Sequence, residues 1–374
     1  MKVIHVITGL ENGGAEKTLF RLITSDNSNK HIVISLSEMG VYGYKLVNFG
    51  YTVETLFMSR NHFTFKGLWK LFRLIKSEKP DIVQTWMYHA DLIGGFIGKL
   101  VGVQKVFWGI RGPYDKGRTP FPTRCVIFLC SLLSGFIPSA IVSNSRHAIR
   151  AHINAGYRAD LFVCIPNGYH MSTFQSSDSG SMIRKRLELR DEDVLLGMVA
   201  RFDPYKDHAT LFAALKEVKN RISNLKFVLV GSGMANDNQE LVRMIDHYDL
   251  GKTVCLLGPI EDIPNVMAAL EIHVLSSAAE SFPNVIAEAM AIGTPCVTTD
   301  VGDASYIVGS TGWVVPHSSP LALKEGILSA VNEIKDSRNW NERRRACRER
   351  IASEFSIDSM VSSFGKLWRG SLDE

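Results

Sequence analysis

Two glutamates, Glu280 and Glu288, stand in "ESFPNVIAEAMAIG", a segment otherwise made of small and apolar residues. Pro283 lies between them, and proline suits the first helical position, because its φ is already helical and its missing N–H lies where no helix partner exists. The spacing predicts a loop carrying Glu280, a helix opening at Pro283, and Glu288 on the second turn. The amides of Asn284 and Val285 would then stand unpaired at a helix start, which attracts anions and phosphate above all. A carboxylate beside phosphate repels it, so the two glutamates are assigned to neutral hydroxyls on either side. A nucleotide sugar has that layout, with hydroxyls flanking a diphosphate. A second reading stays open, in which Glu288 is a surface charge favoured by the helix dipole and Glu280 a loop charge.

The cations expected beside such a diphosphate occur in "MVARFDPYKDH", where a strand exits into Arg201 and Lys206. Arginine offers a planar fork and lysine a point charge. The competing reading makes both of them solvated ion pairs with Asp203 or Asp207. "VGSG" ends another strand with Gly231 and Gly233, residues that let backbone approach a ligand. Near the N-terminus, "TGLENGGAEKTL" sets Gly13 and Gly14 between a strand and a helix, either to cradle phosphate or to permit a tight turn. It lacks the lysine and hydroxyl of a P-loop and the full Gly-x-Gly-x-x-Gly fingerprint, which argues against nucleotide hydrolysis and NAD binding. "QTWMYHAD" and "WGIRGPYD" also end strands on polar residues, His89 and Arg111.

These residues need a frame. Apolar runs at residues 2–8, 31–37, 81–86, 105–110 and 140–145 alternate with helical stretches, and a second series follows at 194–200, 226–233, 254–258, 272–277 and 295–300. That is the rhythm of two doubly wound, Rossmann-like α/β domains, each a parallel sheet covered on both faces. A polar break at 175–181 separates them, and ligands of such sheets sit outside the carboxyl ends of strands, here in a cleft between the domains.

The motifs resemble those of family 4 retaining glycosyltransferases of the GT-B type. The similarity runs from "GGAE" through "IPNG", "RFDPYKDH" and "VLVGSG" to "ESFPNVIAEAMAIGTPCVTTDVG", and "VQTWMYHADLIGG" with "WGIRG" is similar to a subset that builds bacterial surface polysaccharides. The resemblance implies an acceptor-side domain over residues 1–173, a nucleotide-sugar domain over 174–355, and a final helix within 356–374 that packs back on the first. It implies that Arg201 and Lys206 hold the donor diphosphate, that Asn284 and Val285 supply amides, that Glu288 takes the ribose hydroxyls and that Glu280 contacts the sugar. Gly13, Gly14, Gly231, Gly233 and Phe282 complete the donor-binding set, and backbone near Leu257 to Ile260 meets the base. His89 and Arg111 fall on the acceptor or sugar side, Arg111 standing where many members carry a histidine. No cofactor and no metal are expected, because cationic side chains already serve the phosphates.

Composition narrows the classes. A chain of 374 residues exceeds one ordinary core, and 42 Lys plus Arg against 38 Asp plus Glu is too mild a balance to indicate nucleic acid. Six cysteines without a Cys-x-x-Cys pair suggest neither zinc nor disulfides, and a reducing cytoplasm is expected. The longest apolar stretch, Cys125 to Val142, is broken by Pro138 and predicts no spanning helix. "FTFKGLWKLFRLIKSEKPD" places Leu68, Leu71, Phe72 and Ile75 on one helical face and Lys66, Lys70 and Arg73 on another. Either it covers the sheet with its basic side in water, or Phe63, Phe65 and Trp69 dock with those cations on anionic lipid near a lipid-linked saccharide acceptor. A sugar-nucleotide epimerase and a non-catalytic nucleotide-sugar binder are the alternative functions.

Overall fold

The computed structural model describes residues 1–58, 64–117, 119–174 and 180–371, so Phe63 and most of the polar break at 175–181 lie outside the described residues. Two compact units form, residues 1–168 with 357–374, and residues 169–356.

The first unit holds seven strands: β1 (Lys2–Ile7), β2 (Lys30–Ser35), β3 (Thr52–Thr55), β4 (Ile82–Trp86), β5 (Lys105–Ile110), β6 (Ala140–Ser143) and β7 (Phe162–Cys164). All pair in parallel in the order β3-β2-β1-β4-β5-β6-β7. The apolar runs are continuous because both faces are covered. Ile4 and Val6 join one apolar cluster while Val3 and Ile7 join another, as the two-residue period of a strand requires. The final helix, Ile357–Arg369, adds Met360, Phe364 and Trp368 to the second cluster.

The second unit repeats the plan with β8 (Val194–Val199), β9 (Leu225–Val230), β10 (Val254–Gly258), β11 (Ile272–Leu275), β12 (Cys296–Thr299) and β13 (Trp313–Val315), in the order β10-β9-β8-β11-β12-β13. In both sheets the order reverses beside the first strand, between β1 and β4 and between β8 and β11. Loops leaving those strands diverge there, and the crevice they open at the carboxyl ends is where doubly wound sheets take ligands.

Ten strands coincide with the apolar runs of the sequence within three residues at either end. The other three, β3, β7 and β13, are sheet edges of three or four mostly half-buried residues, too short and too mixed to stand out.

Candidate active site

The second unit's crevice is built by the loops after β8 and β11. Asp203 caps the short turn Pro204–Lys206 by accepting from the Tyr205 amide at 2.9 Å. Asp207 caps the helix His208–Lys219 by accepting from the Thr210 amide at 3.1 Å and from its hydroxyl at 2.7 Å. With both aspartates engaged as caps, Lys206 between them turns instead to Glu280 and forms an ion pair with its Oε1. Ser277 donates to the same oxygen at 2.8 Å. Two further bonds stitch the loops together, Ser276 Oγ to the Lys206 carbonyl at 2.7 Å and the Ala278 amide to the Tyr205 carbonyl at 2.8 Å. Both partners are mostly buried, with side-chain exposures of 17% and 14%, so this is a fixed feature of the crevice and not a solvated surface pair.

The helix after Glu280 spans Asn284–Ile292 and stops at Gly293, whose φ of 93° is the left-handed conformation glycine adopts most readily. Pro283 is its N-cap and not its first helical residue, since its ψ of 92° is extended. Asn284 and Val285 are therefore the first two helical residues, where amides have no carbonyl in a preceding turn. Glu288 is only 4% exposed, which removes the reading of it as a surface charge. His273, on β11, feels both neighbouring charges. Burial first, then the Lys206 cation, push its pKa down to about 3, and Glu288 pulls the other way. Neutral His273 accepts from the Val199 amide through Nε2 at 3.2 Å, and its buried Nδ1 has no partner. Phe282 is buried edge-on against Phe355, with centroids 5.9 Å apart, so its ring anchors the loop. Tyr169, which sequence reasoning passed over, donates to Asn284 Oδ1 at 2.6 Å. Its only signal was its place directly after "IPNG".

Arg201 behaves differently from Lys206. Its side chain is 72% exposed and lies 3.7 Å from Asp203 Oδ2, close to the solvated pairing that was the competing reading. Gly231 and Gly233 lie under this loop. A Cβ on Gly231 would fall 2.0 Å from the Ala200 carbonyl oxygen, and one on Gly233 2.8 Å from Phe202 Cβ. These glycines bring β9 against the exit of β8. A register shift between Leu256 and Gly258 bulges Leu257 out of the β9–β10 ladder.

In the first unit, Gly13 caps the helix Gly14–Ser25 with φ −133° and ψ 173°, extended backbone open to any residue. The Glu16 carboxylate curls back over it, since a Cβ there would meet Glu16 Oε2 at 2.4 Å. His89 sits half-buried in the first turn of the helix Tyr88–Val101, behind Met87, which holds a φ of 72° rarely tolerated outside glycine. Arg111 follows β5. Its guanidinium stacks on Trp86 at 4.6 Å and on Phe364 at 5.7 Å, and Nη1 donates to Asn167 Oδ1 at 3.2 Å. Burial lowers its pKa to about 10, which still leaves it charged at neutral pH. Among the described residues, no group of three or more His, Cys, Asp or Glu side chains is disposed to hold a metal ion.

Comparison with known proteins agrees with this architecture. Residues 181–346 match the family described as glycosyl transferases group 1. Escherichia coli UDP-Gal:alpha-D-GlcNAc-diphosphoundecaprenol alpha-1,3-galactosyltransferase is 25% identical over 81% of this chain and 79% of its own. The Staphylococcus aureus capsular polysaccharide biosynthesis glycosyltransferase CapM is 23% identical over 98% of both. The crystal structure of Anabaena HepE in complex with UDP superposes with a TM-score of 0.86 over 99% of this chain and 100% of that one, at 20% identity. The fold is thus of the GT-B type, two parallel-sheet Rossmann-like domains.

Proposed function

We propose that the chain is a retaining, family 4 glycosyltransferase that moves a sugar from a UDP-sugar onto a lipid-linked saccharide in surface polysaccharide assembly. The observation that carries the reading is the Lys206–Glu280 pair at the topological switch point of the second unit, with the helix Asn284–Ile292 starting four residues after Glu280. The match of residues 181–346 and the names of the E. coli and S. aureus relatives point the same way, as does the UDP held by HepE.

Chemically, loss of a diphosphate needs positive charge held in place where the leaving oxygens develop theirs. Lys206 is held there by its pair with Glu280, and its ammonium has two more N–H donors for phosphate. Arg201 is the mobile second cation, and the amides of Asn284 and Val285 add the positive end of a helix. Glu280 Oε1 is taken by Lys206 and Ser277, which leaves Oε2 for a sugar hydroxyl. Glu288 is the ribose partner, and the Leu257 bulge the base contact. The acceptor hydroxyl attacks from the leaving group's face and gives its proton to a phosphate oxygen, so Glu280 orients the sugar and is not a nucleophile.

The lipid-linked acceptor fits an apolar face on the first unit. The helices Phe65–Glu78, Tyr88–Val101 and Phe121–Leu133 pack side by side, and Phe65, Trp69, Phe96, Leu100, Phe128 and Leu132 are exposed along them. Lys66 and Arg73 flank the face, whereas Lys70 is tied to Glu54 at 2.9 Å and to the Thr55 carbonyl. No described helix is long and apolar enough to cross a membrane, so the contact would be peripheral, at the inner face of the cytoplasmic membrane.

The test is kinetic. Glu280→Gln should lower turnover by about 10²-fold, the scale of one preorganised polar contact, and change UDP affinity by calorimetry far less, because Lys206 keeps its charge for the diphosphate. Unchanged turnover would remove Glu280 from the sugar site.

A further inference from the structure

The first unit contains a cation whose donors are buried without a counter-charge, an arrangement that is strongly unfavourable unless a ligand supplies one. Arg111 satisfies only Nη1, through Asn167. Its Nε and Nη2 are buried with no hydrogen-bond partner, and among the described residues no carboxylate lies within ion-pairing distance of it. Cys164 and then Asp91 are the acidic groups that act on it through space, and Asp91 Oδ1 already accepts from the Thr85 hydroxyl at 2.5 Å and the Gly109 amide at 3.0 Å. The stacks on Trp86 and Phe364 offset only part of that cost, and they fix the plane of the group. Nε and Nη2 together form the side-on fork of a guanidinium, two parallel donors matched to two oxygens of one anion.

A second observation coincides in place. Thr8, at the carboxyl end of β1, has a buried hydroxyl without a partner. Met87, at the end of β4, holds its strained φ of 72°. β1, β4 and β5 are neighbours in the sheet, so two unpaired polar groups and one strained residue leave the same edge of three adjacent strands. Strain and unpaired donors in one place are what a ligand site stores.

We propose that the carboxyl ends of β1, β4 and β5 bind an oxyanion of the substrate, a carboxylate or a phosphate, clamped by the Nε and Nη2 of Arg111 and assisted by the Thr8 hydroxyl. A neutral sugar hydroxyl does not satisfy both parallel donors, whereas a two-oxygen anion does. This rests on the glycosyltransferase reading only for the anion's source, either a carboxylated sugar or the phosphate of a lipid-linked acceptor.

The experiment uses the full chain, with thermal unfolding and calorimetry in glucuronate, inorganic pyrophosphate and glucose, on wild type, Arg111→Met, Arg111→Lys and Lys206→Met. At least one anion should raise the wild-type Tm while glucose does not, and the rise should persist in Lys206→Met, which weakens phosphate binding in the second unit. Arg111→Met should unfold at or above the wild-type temperature without ligand and lose the anion response. Arg111→Lys, charged but without the fork, should bind the anion about tenfold more weakly. A response to glucuronate identifies a carboxylated sugar, and one to pyrophosphate a phosphate. Absence of any anion response in wild type, an unchanged Kd in both Arg111 variants, or a lower unliganded Tm for Arg111→Met would overturn the proposal. No step reads transfer, so its failure leaves the proposed function standing, and the reverse holds too.

Discussion

Lys206 and Glu280 lie 74 positions apart, and their pairing decides what each can do. Breaking a mostly buried pair strands the survivor, so Lys206→Met and Glu280→Gln should each cost about 3 kcal/mol. The double variant should cost less than the sum, with a coupling of about 1–3 kcal/mol in denaturant unfolding. Additive losses would mean that the pair does not organise the crevice. The types of these residues and their places after β8 and β11 were legible in the sequence, but their contact was not, because no local spacing records it. The same holds for Arg111, whose stack is assembled from Trp86 and from Phe364 on the final helix. Asp91 supplies a pH test. Burial pushes its carboxyl up to about 7, against bonds from Thr85 and Gly109. A raised acid holds its proton in the folded state after the unfolded chain has lost it, so stability is full below about pH 4 and falls as pH rises to 7. The loss is roughly 4 kcal/mol. Asp91→Asn, which can accept the same two bonds, should flatten that part of the profile, and an unchanged slope would assign it to other groups.

At the scale of elements, the inner strands were readable because helices on both faces make them continuously apolar, while the edges β3, β7 and β13 lack that cover. Pro283 was placed one residue too far into its helix because a proline's φ fits both the cap and the first turn, and only ψ separates them. Helix Phe65–Glu78 shows a different limit. Its amphipathic period located the buried Leu71 and Ile75, but the apolar face it shares with Phe96 and Leu132 on neighbouring helices needed the packing to be seen. With Phe65 84% exposed and Lys66 and Arg73 beside it, the chain should float with anionic liposomes. Phe96→Asp should abolish co-flotation, and Lys66→Glu with Arg73→Glu should weaken it on anionic vesicles alone. Equal binding by all variants would assign the face to another role.

For the whole molecule, two doubly wound units were legible from the repeat of strand and helix patterns, and the sheet orders add why the site falls where it does. In each sheet the order reverses beside the first strand, and Lys206 and Glu280 leave the two strands that flank the second unit's reversal. The proposed donor site is therefore placed in that unit, whereas the first unit carries the apolar face and Arg111, whose Nε and Nη2 have no hydrogen-bond partner. The most direct measurement is mass spectrometry of products after incubating the full chain with UDP-, GDP- and ADP-sugars and a bacterial extract of lipid-linked saccharides. Transfer by this chain should give a lipid-linked species heavier by one sugar, with UDP released in equal amount. An isomerised donor without transfer, or UDP-sugars bound but unchanged beside an intact acceptor pool, would contradict it.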